Sequence, residues 1–274
     1  MATTNLPDND LGFAGDIPRY YERCLVPLIF EPYAVDICRR VVAFRPDSVL
    51  ELAAGTGVVT RHLASQLAPG VPIVATDLNQ AMLDEASRAG TVRPVEWRPA
   101  DAMRLPFADH AFDVVVCQFG VMFFPDKVRA FSEARRVLRP GGRFVFNTWD
   151  RVEHNDLIRT VCGALDALFP DAPPRFMQRG PHAYADEGVI AGDLAHAGFT
   201  IQDITLVVQR SRAATAREPA IGFCYGTPLR TEIEAKGPTA LAQATDAAAA
   251  ALVEQYGTGP IEGSMQARVV VAQA

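Results

Sequence analysis

Val49-Leu50-Glu51-Leu52-Ala53-Ala54-Gly55-Thr56-Gly57-Val58-Val59-Thr60 passes from an apolar strand, through an acid, into a loop of small residues and on into a helix. Val49, Leu50 and Leu52 read as a buried parallel strand. The small residues after it let the chain turn sharply and let a ligand come close to the backbone. The helix that opens at Val58 presents free N–H groups and the positive end of its dipole. These attract an anionic group, a phosphate or an amino-acid carboxylate alike. The stretch reads as the floor of a nucleoside-cofactor site without choosing the cofactor, and a lone Gly-x-Gly after a strand is as often an ordinary turn.

Outward from this loop, strand and helix patterns alternate. A helix over residues 58–67 leads to the strand Ile73-Val74-Ala75-Thr76, a helix over 80–88 and a short strand Val95-Glu96-Trp97. Then come the strand Phe112-Asp113-Val114-Val115-Val116-Cys117, a helix over 126–138 and the strand Arg143-Phe144-Val145-Phe146. Such alternation predicts parallel βαβ units with right-handed crossovers, and so a doubly wound α/β sheet. Arg139-Pro140-Gly141-Gly142 is expected to end the helix before the last of these strands. Upstream, residues 1–16 are polar and turn-rich and read as mobile. From Ile17 a helical, aromatic pattern follows, which Pro27 and Pro32 are expected to break into short pieces before an amphipathic helix over 34–44. Downstream, a helix through Leu157, Val161 and Leu165 precedes a loop with Pro170, Pro173 and Pro174. A helix capped by Asp186 and closed by Gly198, a strand over 200–208, two helical stretches within 213–256 and a closing strand Ala267-Arg268-Val269-Val270-Val271 complete the chain.

Bulk properties narrow the function. The 274 residues carry 26 basic and 32 acidic side chains, a net charge of −6, which disfavours nucleic acid as a partner. The longest purely apolar run, residues 247–253, is far short of the roughly 18 needed to span a bilayer. The first residues lack the charged and apolar regions of a secretory leader, and the five cysteines show no CxxC spacing, so reduced thiols and a cytoplasmic location are expected.

Three acids bear on the cofactor. Asp77 ends the second strand about twenty residues past the loop, where a carboxylate accepts hydrogen bonds from ribose hydroxyls; this suits nicotinamide dinucleotides and S-adenosylmethionine equally, and an Asp before a helix also serves as a cap. Asp101, in Arg98-Pro99-Ala100-Asp101-Ala102, is placed to accept from an adenine amino group or to form a turn. Glu51 stands at the strand-to-loop corner, where a pyrophosphate would have to pass. Its carboxylate repels phosphates and suits a cationic amino group, which favours S-adenosylmethionine, a cation without phosphate.

Residues 49–148 resemble a class I S-adenosylmethionine-dependent methyltransferase of the group that includes the ubiquinone and menaquinone biosynthesis enzymes. The resemblance rests on Glu51-Leu52-Ala53-Ala54-Gly55-Thr56-Gly57, Ala75-Thr76-Asp77-Leu78-Asn79 with Met82, and Ala100-Asp101-Ala102 with Leu105-Pro106-Phe107. Phe112 to Gly120 and Arg136-Val137-Leu138-Arg139-Pro140-Gly141-Gly142 complete it. It implies a seven-stranded, mostly parallel Rossmann-like sheet with an antiparallel last strand and helical cap insertions. The implied organisation is an N-terminal helical segment, 1–44, closing over the cofactor, a core at 45–149, cap insertions at 150–185 and 212–258, and the rest of the sheet at 186–211 and 259–274. The loop from Glu51 through Ala53 and Gly55 to Gly57 would lie beneath the methionine portion, and Asp77 on the ribose. Leu78 and Met82 would lie against the adenine, Asp101 and Ala102 at its edge, Gln118 and Phe119 beside the reactive methyl, and Tyr20 and Tyr21 above. Ala53 departs from the usual glycine and is expected to have negative φ.

The expected activity is direct in-line methyl transfer to a small, apolar or aromatic acceptor, leaving S-adenosylhomocysteine, with O-, N- and C-methylation open. Holding the partners in line supplies much of such catalysis. A base is needed only where the acceptor keeps its proton; His154 is the leading candidate, with His182 and Tyr184 behind it. Phe123, Phe124, Phe169, Phe176, Met177, Phe223 and Tyr225 are candidate walls for the acceptor. No residues have metal-ligand spacing. The competing readings are a cofactor-binding regulatory protein without transferase activity and an NAD(P)-dependent oxidoreductase.

Overall fold

A computed structural model of the protein describes residues 12–274; the mobility expected of the first eleven residues, and the reading of the first five as lacking a leader, lie outside them. Seven strands form one sheet in the order β3-β2-β1-β4-β5-β7-β6. They are β1 (Val49–Glu51), β2 (Ile73–Asp77), β3 (Glu96–Pro99), β4 (Phe112–Gln118), β5 (Leu138–Trp149), β6 (Thr200–Ala213) and β7 (Ile261–Gln273). β1 to β5 pair in parallel, and β7 runs antiparallel to both β5 and β6. Every residue of β1 and β2 is buried, as expected of parallel strands covered by helices on both faces, and their polar residues, Glu51, Thr76 and Asp77, stand at the carboxyl ends.

The chain moves from β1 outward to β3 and then returns to place β4 on the other side of β1. The strand order therefore reverses between β1 and β4, and a crevice opens outside their carboxyl ends. The loop after Glu51 and the residues after Gln118 both lie at that crevice.

The N-terminal segment differs from the expected short pieces. Helix α1 (Ile17–Tyr20), a π-helical segment Tyr21–Phe30 and α2 (Glu31–Ala43) follow one another without interruption. Pro27 sits inside the wider π turns, where the missing N–H and the ring are accommodated by a register that an α-helix would not allow. Pro32 falls in the first turn of α2, where its absent N–H costs nothing. The segment is fastened to the sheet by Tyr33, whose hydroxyl lies 3.1 Å from the carbonyls of both Val207 and Met265.

Between the parallel strands run α3 (Val58–Gln66), α4 (Gln80–Ala89) and α5 (Lys127–Val137), the last capped by the Asp126 carboxylate accepting from the Arg129 amide. β5 begins before the Pro-Gly-Gly turn rather than after it. Leu138 already pairs with Phe112, and a register shift between Phe112 and Val114 absorbs the turn as a bulge. The cap comprises α6 (Asp156–Leu168), α7 (Phe176–Arg179), α9 (Arg217–Tyr225), α10 (Leu229–Glu234) and α11 (Ala240–Tyr256). Helix α8 (Glu187–His196) returns to the sheet, with Asp186 accepting from the Val189 amide as its cap. β6 continues to Ala213, past the expected Val208, because Val208–Ala213 pair with Ile261–Gln266. This carries the β6 and β7 ends up beside the cap.

Candidate functional site

The loop after β1 is shaped by backbone conformation. Gly55 and Gly57 have φ of +57° and +84°. A Cβ on Gly57 would fall 2.8 Å from the Trp97 ring, so this turn requires glycine both for its conformation and for its space. Ala53, expected at negative φ, has a φ of +49°. The methyl group is held there against Gly120, whose own missing Cβ would lie 2.5 Å from it. The left-handed conformation costs an alanine about 1 kcal/mol.

Asp77 ties this loop to β2. One carboxylate oxygen accepts from the Gly55 amide at 2.9 Å, the other from the Asn79 amide at 2.8 Å. The capping position of α4 is Asn79, not Asp77. Burial raises the Asp77 pKa, and the backbone hydrogen bonds oppose it. Glu51 lies beneath the loop, 2% exposed, where its carboxyl accepts from the Thr60 hydroxyl at 2.6 Å. Burial pushes its pKa up to about 8 despite that bond and the nearby Arg61.

One cavity of about 240 Å³ opens above the carboxyl ends of β1 and β4. Of the residues expected at a cofactor, it is lined by Tyr21, Ala53, Gly55, Asp77, Leu78, Met82, Asp101, Ala102, Gln118 and Phe119. Tyr20, Glu51 and Gly57 do not line it. Tyr20 instead packs on Tyr225 of α9, ring centroids 5.0 Å apart, joining the N-terminal segment to the cap. Asp101 both forms a turn, accepting from the Met103 amide at 2.8 Å, and faces the cavity. The Gln118 Oε1 is buried without a hydrogen-bond partner among the described residues.

The same cavity continues into an aromatic chamber. Phe119 has a φ of +51°, an uncommon conformation for a bulky residue. Its amide donates to the Asn147 Oδ1 at 2.8 Å, and its ring stacks on Trp149 with centroids 3.7 Å apart. Phe30 and Tyr33 pack on the same pair of rings, and Tyr21 stacks on Phe30 at 4.7 Å. Both Ala53 and Phe119 thus hold strained backbone at the wall of one cavity, a pattern common at functional sites. Of the candidate acceptor walls, Phe123, Phe124, Phe176, Met177 and Phe223 line it, whereas Phe169 and Tyr225 do not.

The histidines fall in the reverse of their expected order. His154 is half exposed, bonds the Asp150 carboxylate through Nδ1 at 2.9 Å and does not line the cavity. His182 does line it, beside Trp149 at 6.0 Å between ring centroids. Tyr184 is buried on Asp193, its hydroxyl donating to the carboxylate at 2.8 Å, and lies away from the cavity wall.

Several wall residues carried no sequence signal: Phe13, Ser211 and Ser264. Trp149 had one, since it ends a parallel strand at the crevice edge. Ser211 and Ser264 both reach the wall only because β6 pairs with β7 beyond the expected strand ends.

Residues 50–146 match the family model described as a methyltransferase domain. The demethylmenaquinone methyltransferase of Thermus thermophilus is 33% identical over 170 residues, 57% of this chain and 76% of that one. The ubiquinone/menaquinone biosynthesis C-methyltransferase of Acidiphilium cryptum is 36% identical over 177 residues, 56% of this chain and 70% of its own. Other curated relatives align over 40 to 56% of their lengths. Among solved structures, the YcgJ protein from Bacillus subtilis has a TM-score of 0.56 at 18% identity over 87% of this chain and 98% of that one, a likeness of fold.

Fold and sequence together define an S-adenosylmethionine-dependent methyltransferase. The chain belongs to the class I family, in the group of the ubiquinone and menaquinone biosynthesis methyltransferases. It acts on a small-molecule acceptor. Among the described residues, no helix is long and apolar enough to cross a membrane.

Proposed function

We propose that this chain methylates a ring carbon of an apolar hydroquinone-like acceptor and releases S-adenosylhomocysteine. The observation that carries the reading is the continuity of one cavity from Gly55 and Asp77 to Phe119, Trp149 and Phe176. The names of the relatives, which include a C-methyltransferase of quinone biosynthesis, support the choice of ring and carbon.

The residues present fit the cofactor. Asp77 would hold the ribose, Leu78, Met82, Asp101 and Ala102 the adenine, and the loop from Ala53 to Gly57 the methionine portion. Gln118, with its unpaired buried oxygen, would accept from the ammonium group. When bound, the cofactor supplies an electrophilic methyl carbon on a leaving sulfur. Tyr21 and Phe119 would close over that centre, and the apolar chamber would keep water from it. The five free thiols support a reducing, cytoplasmic setting, and the net charge of −6 favours a small molecule over nucleic acid.

The test is incubation of the protein with methyl-labelled donor and 1,4-dihydroxynaphthalene, followed by mass analysis. Label on a ring carbon is expected. Binding of NADH in preference to S-adenosylhomocysteine, or cofactor binding with no transfer to hydroquinones or to any metabolite of a cell extract, would overturn the reading.

A further inference from the structure

His182 is the one imidazole among the described residues that borders the apolar cavity. Its Nδ1 lies 2.6 Å from the backbone carbonyl of Asp150. A carbonyl oxygen only accepts, so Nδ1 carries the proton and Nε2 bears the free lone pair. Nε2 has no hydrogen-bond partner among the described residues. The ring is fixed from two directions, since the His182 amide donates to the Met177 carbonyl at 3.0 Å and Asp150 is anchored by Arg268 at 2.7 Å.

A base must also return its proton to water before the next turnover. His182 also borders a second cavity, of about 270 Å³, lined by Arg151, Glu153, Gln178 and Asp186. It therefore stands between an apolar chamber and a polar one.

We propose that His182 is the general base of the transfer reaction, taking the hydroxyl proton of the ring-bearing acceptor on Nε2. This rests on the cavity being a methyl-transfer site for a hydroxylated ring. The acceptor O–H bond breaks and its proton goes to Nε2. The electron pair left on oxygen feeds through the ring to the carbon that forms the new bond to the methyl group, while the bond from methyl to sulfur breaks with its pair on sulfur. The hydrogen on the methylated ring carbon then moves to oxygen and restores the aromatic ring, so one proton is released per methyl transferred.

Burial pushes the imidazolium pKa down to about 4, so the ring is neutral at the start of each cycle. The same burial makes the free imidazole a weak proton acceptor, so the transfer depends on the charges that surround the ring. The charged groups around it are Asp150, Arg151 and Glu153 from the segment after β5 and Asp186 at the start of α8. Asp150 is shared with Arg268 and His154. The carboxylates of Asp150 and Glu153 favour the positive charge that develops as the proton arrives.

Two readouts test this. In ¹⁵N spectra of the wild-type protein at pH 7 with S-adenosylhomocysteine bound, His182 should be the neutral tautomer protonated on Nδ1, and 1-naphthol should move the Nε2 resonance. In kinetics with 1,4-dihydroxynaphthalene, His182→Gln should lower kcat by roughly 10²- to 10⁴-fold, the scale of general-base catalysis, and leave KM within a few-fold. Its rate should climb with pH as the acceptor ionises by itself, where the wild-type rate is flat. S-Adenosylhomocysteine affinity should stay within about two-fold, which separates loss of the base from misfolding. A proton on Nε2, or a His182→Gln enzyme with wild-type kcat and pH profile, overturns the proposal while leaving the parent reading intact. A wild-type protein that binds the cofactor and methylates no hydroquinone overturns both.

Discussion

At one end of the cavity the wall comes from three successive strand ends: Ala53 and Gly55 after β1, Asp77 at the end of β2 with Leu78 after it, Asp101 and Ala102 after β3. At the other end it comes from pieces far apart in the chain, Phe30 from the π-helical segment, His182 from the loop after α7, Phe223 from α9, and Ser211 and Ser264 from β6 and β7. The first end is read by backbone amides and short-range turns, so its residues must stand at fixed offsets from strands. The second needs only apolar area of the right shape, which many combinations of residues provide. The contrast separates a site specified by local chemistry from one specified by packing, and substitutions at the two ends should separate accordingly.

On cofactor affinity the largest effect is expected at the strand-end wall. Asp77→Ala should weaken S-adenosylhomocysteine binding by about 1.5 to 3 kcal/mol, the scale of lost hydrogen bonds to a charged group. Calorimetry that finds an unchanged dissociation constant would remove Asp77 from the cofactor. Glu51 tests the same end through pH. Its folded-state pKa of about 8 lies above the unfolded value near 4.5, so the native protein holds the extra proton between them. Stability from this group is complete below the unfolded value and declines as pH rises to about 8, by at most about 1.4 kcal/mol per pH unit. His182 acts in the opposite sense, since its pKa is lowered to about 4 and its contribution grows from there to about 6.5. Denaturant melts at pH 6.5 and 8 should therefore show a larger loss in the wild type than in Glu51→Gln, and equal losses would place the Glu51 ionisation elsewhere.

At the packed end, Phe123→Ala should raise KM for an aromatic acceptor by about 1 kcal/mol, roughly five-fold, with cofactor affinity preserved. A fall in cofactor affinity of the same size would mean that the two ends are not separable. The smallest effect is expected at Ala53→Gly. Relief of the left-handed strain exceeds the added freedom of the unfolded chain by about 0.5 kcal/mol, visible as a higher urea midpoint. A lower midpoint would show that the Ala53 methyl packing on Gly120 outweighs the strain.

The parallel strands, the glycine loop and Asp77 were legible because each rests on a short-range pattern: alternating apolar runs, residues able to take positive φ, an acid at a strand end. Local reasoning failed where a neighbour in space decided the outcome. His154 follows the fifth strand and looked like the base, but the Asp150 carboxylate holds it at the surface. His182 looked like a loop-tip residue, but the Asp150 carbonyl and Trp149 draw it to the cavity. Pro27 looked like a helix breaker, yet the chain passes it in a wider helical register. The Glu51 carboxyl, expected to open toward a cationic group, lies on Thr60 below the loop.

By itself the sequence determined the α/β class, the crevice at the strand reversal and the family of the cofactor-binding half, because those follow from short-range patterns repeated along about a hundred residues. Only the tertiary structure decided which histidine borders the aromatic chamber, that Ala53 and Phe119 bear the strain, and that β6 and β7 bring Ser211 and Ser264 to the cavity wall. Those outcomes depend on packing between segments tens to hundreds of residues apart, and no local pattern in the chain records them.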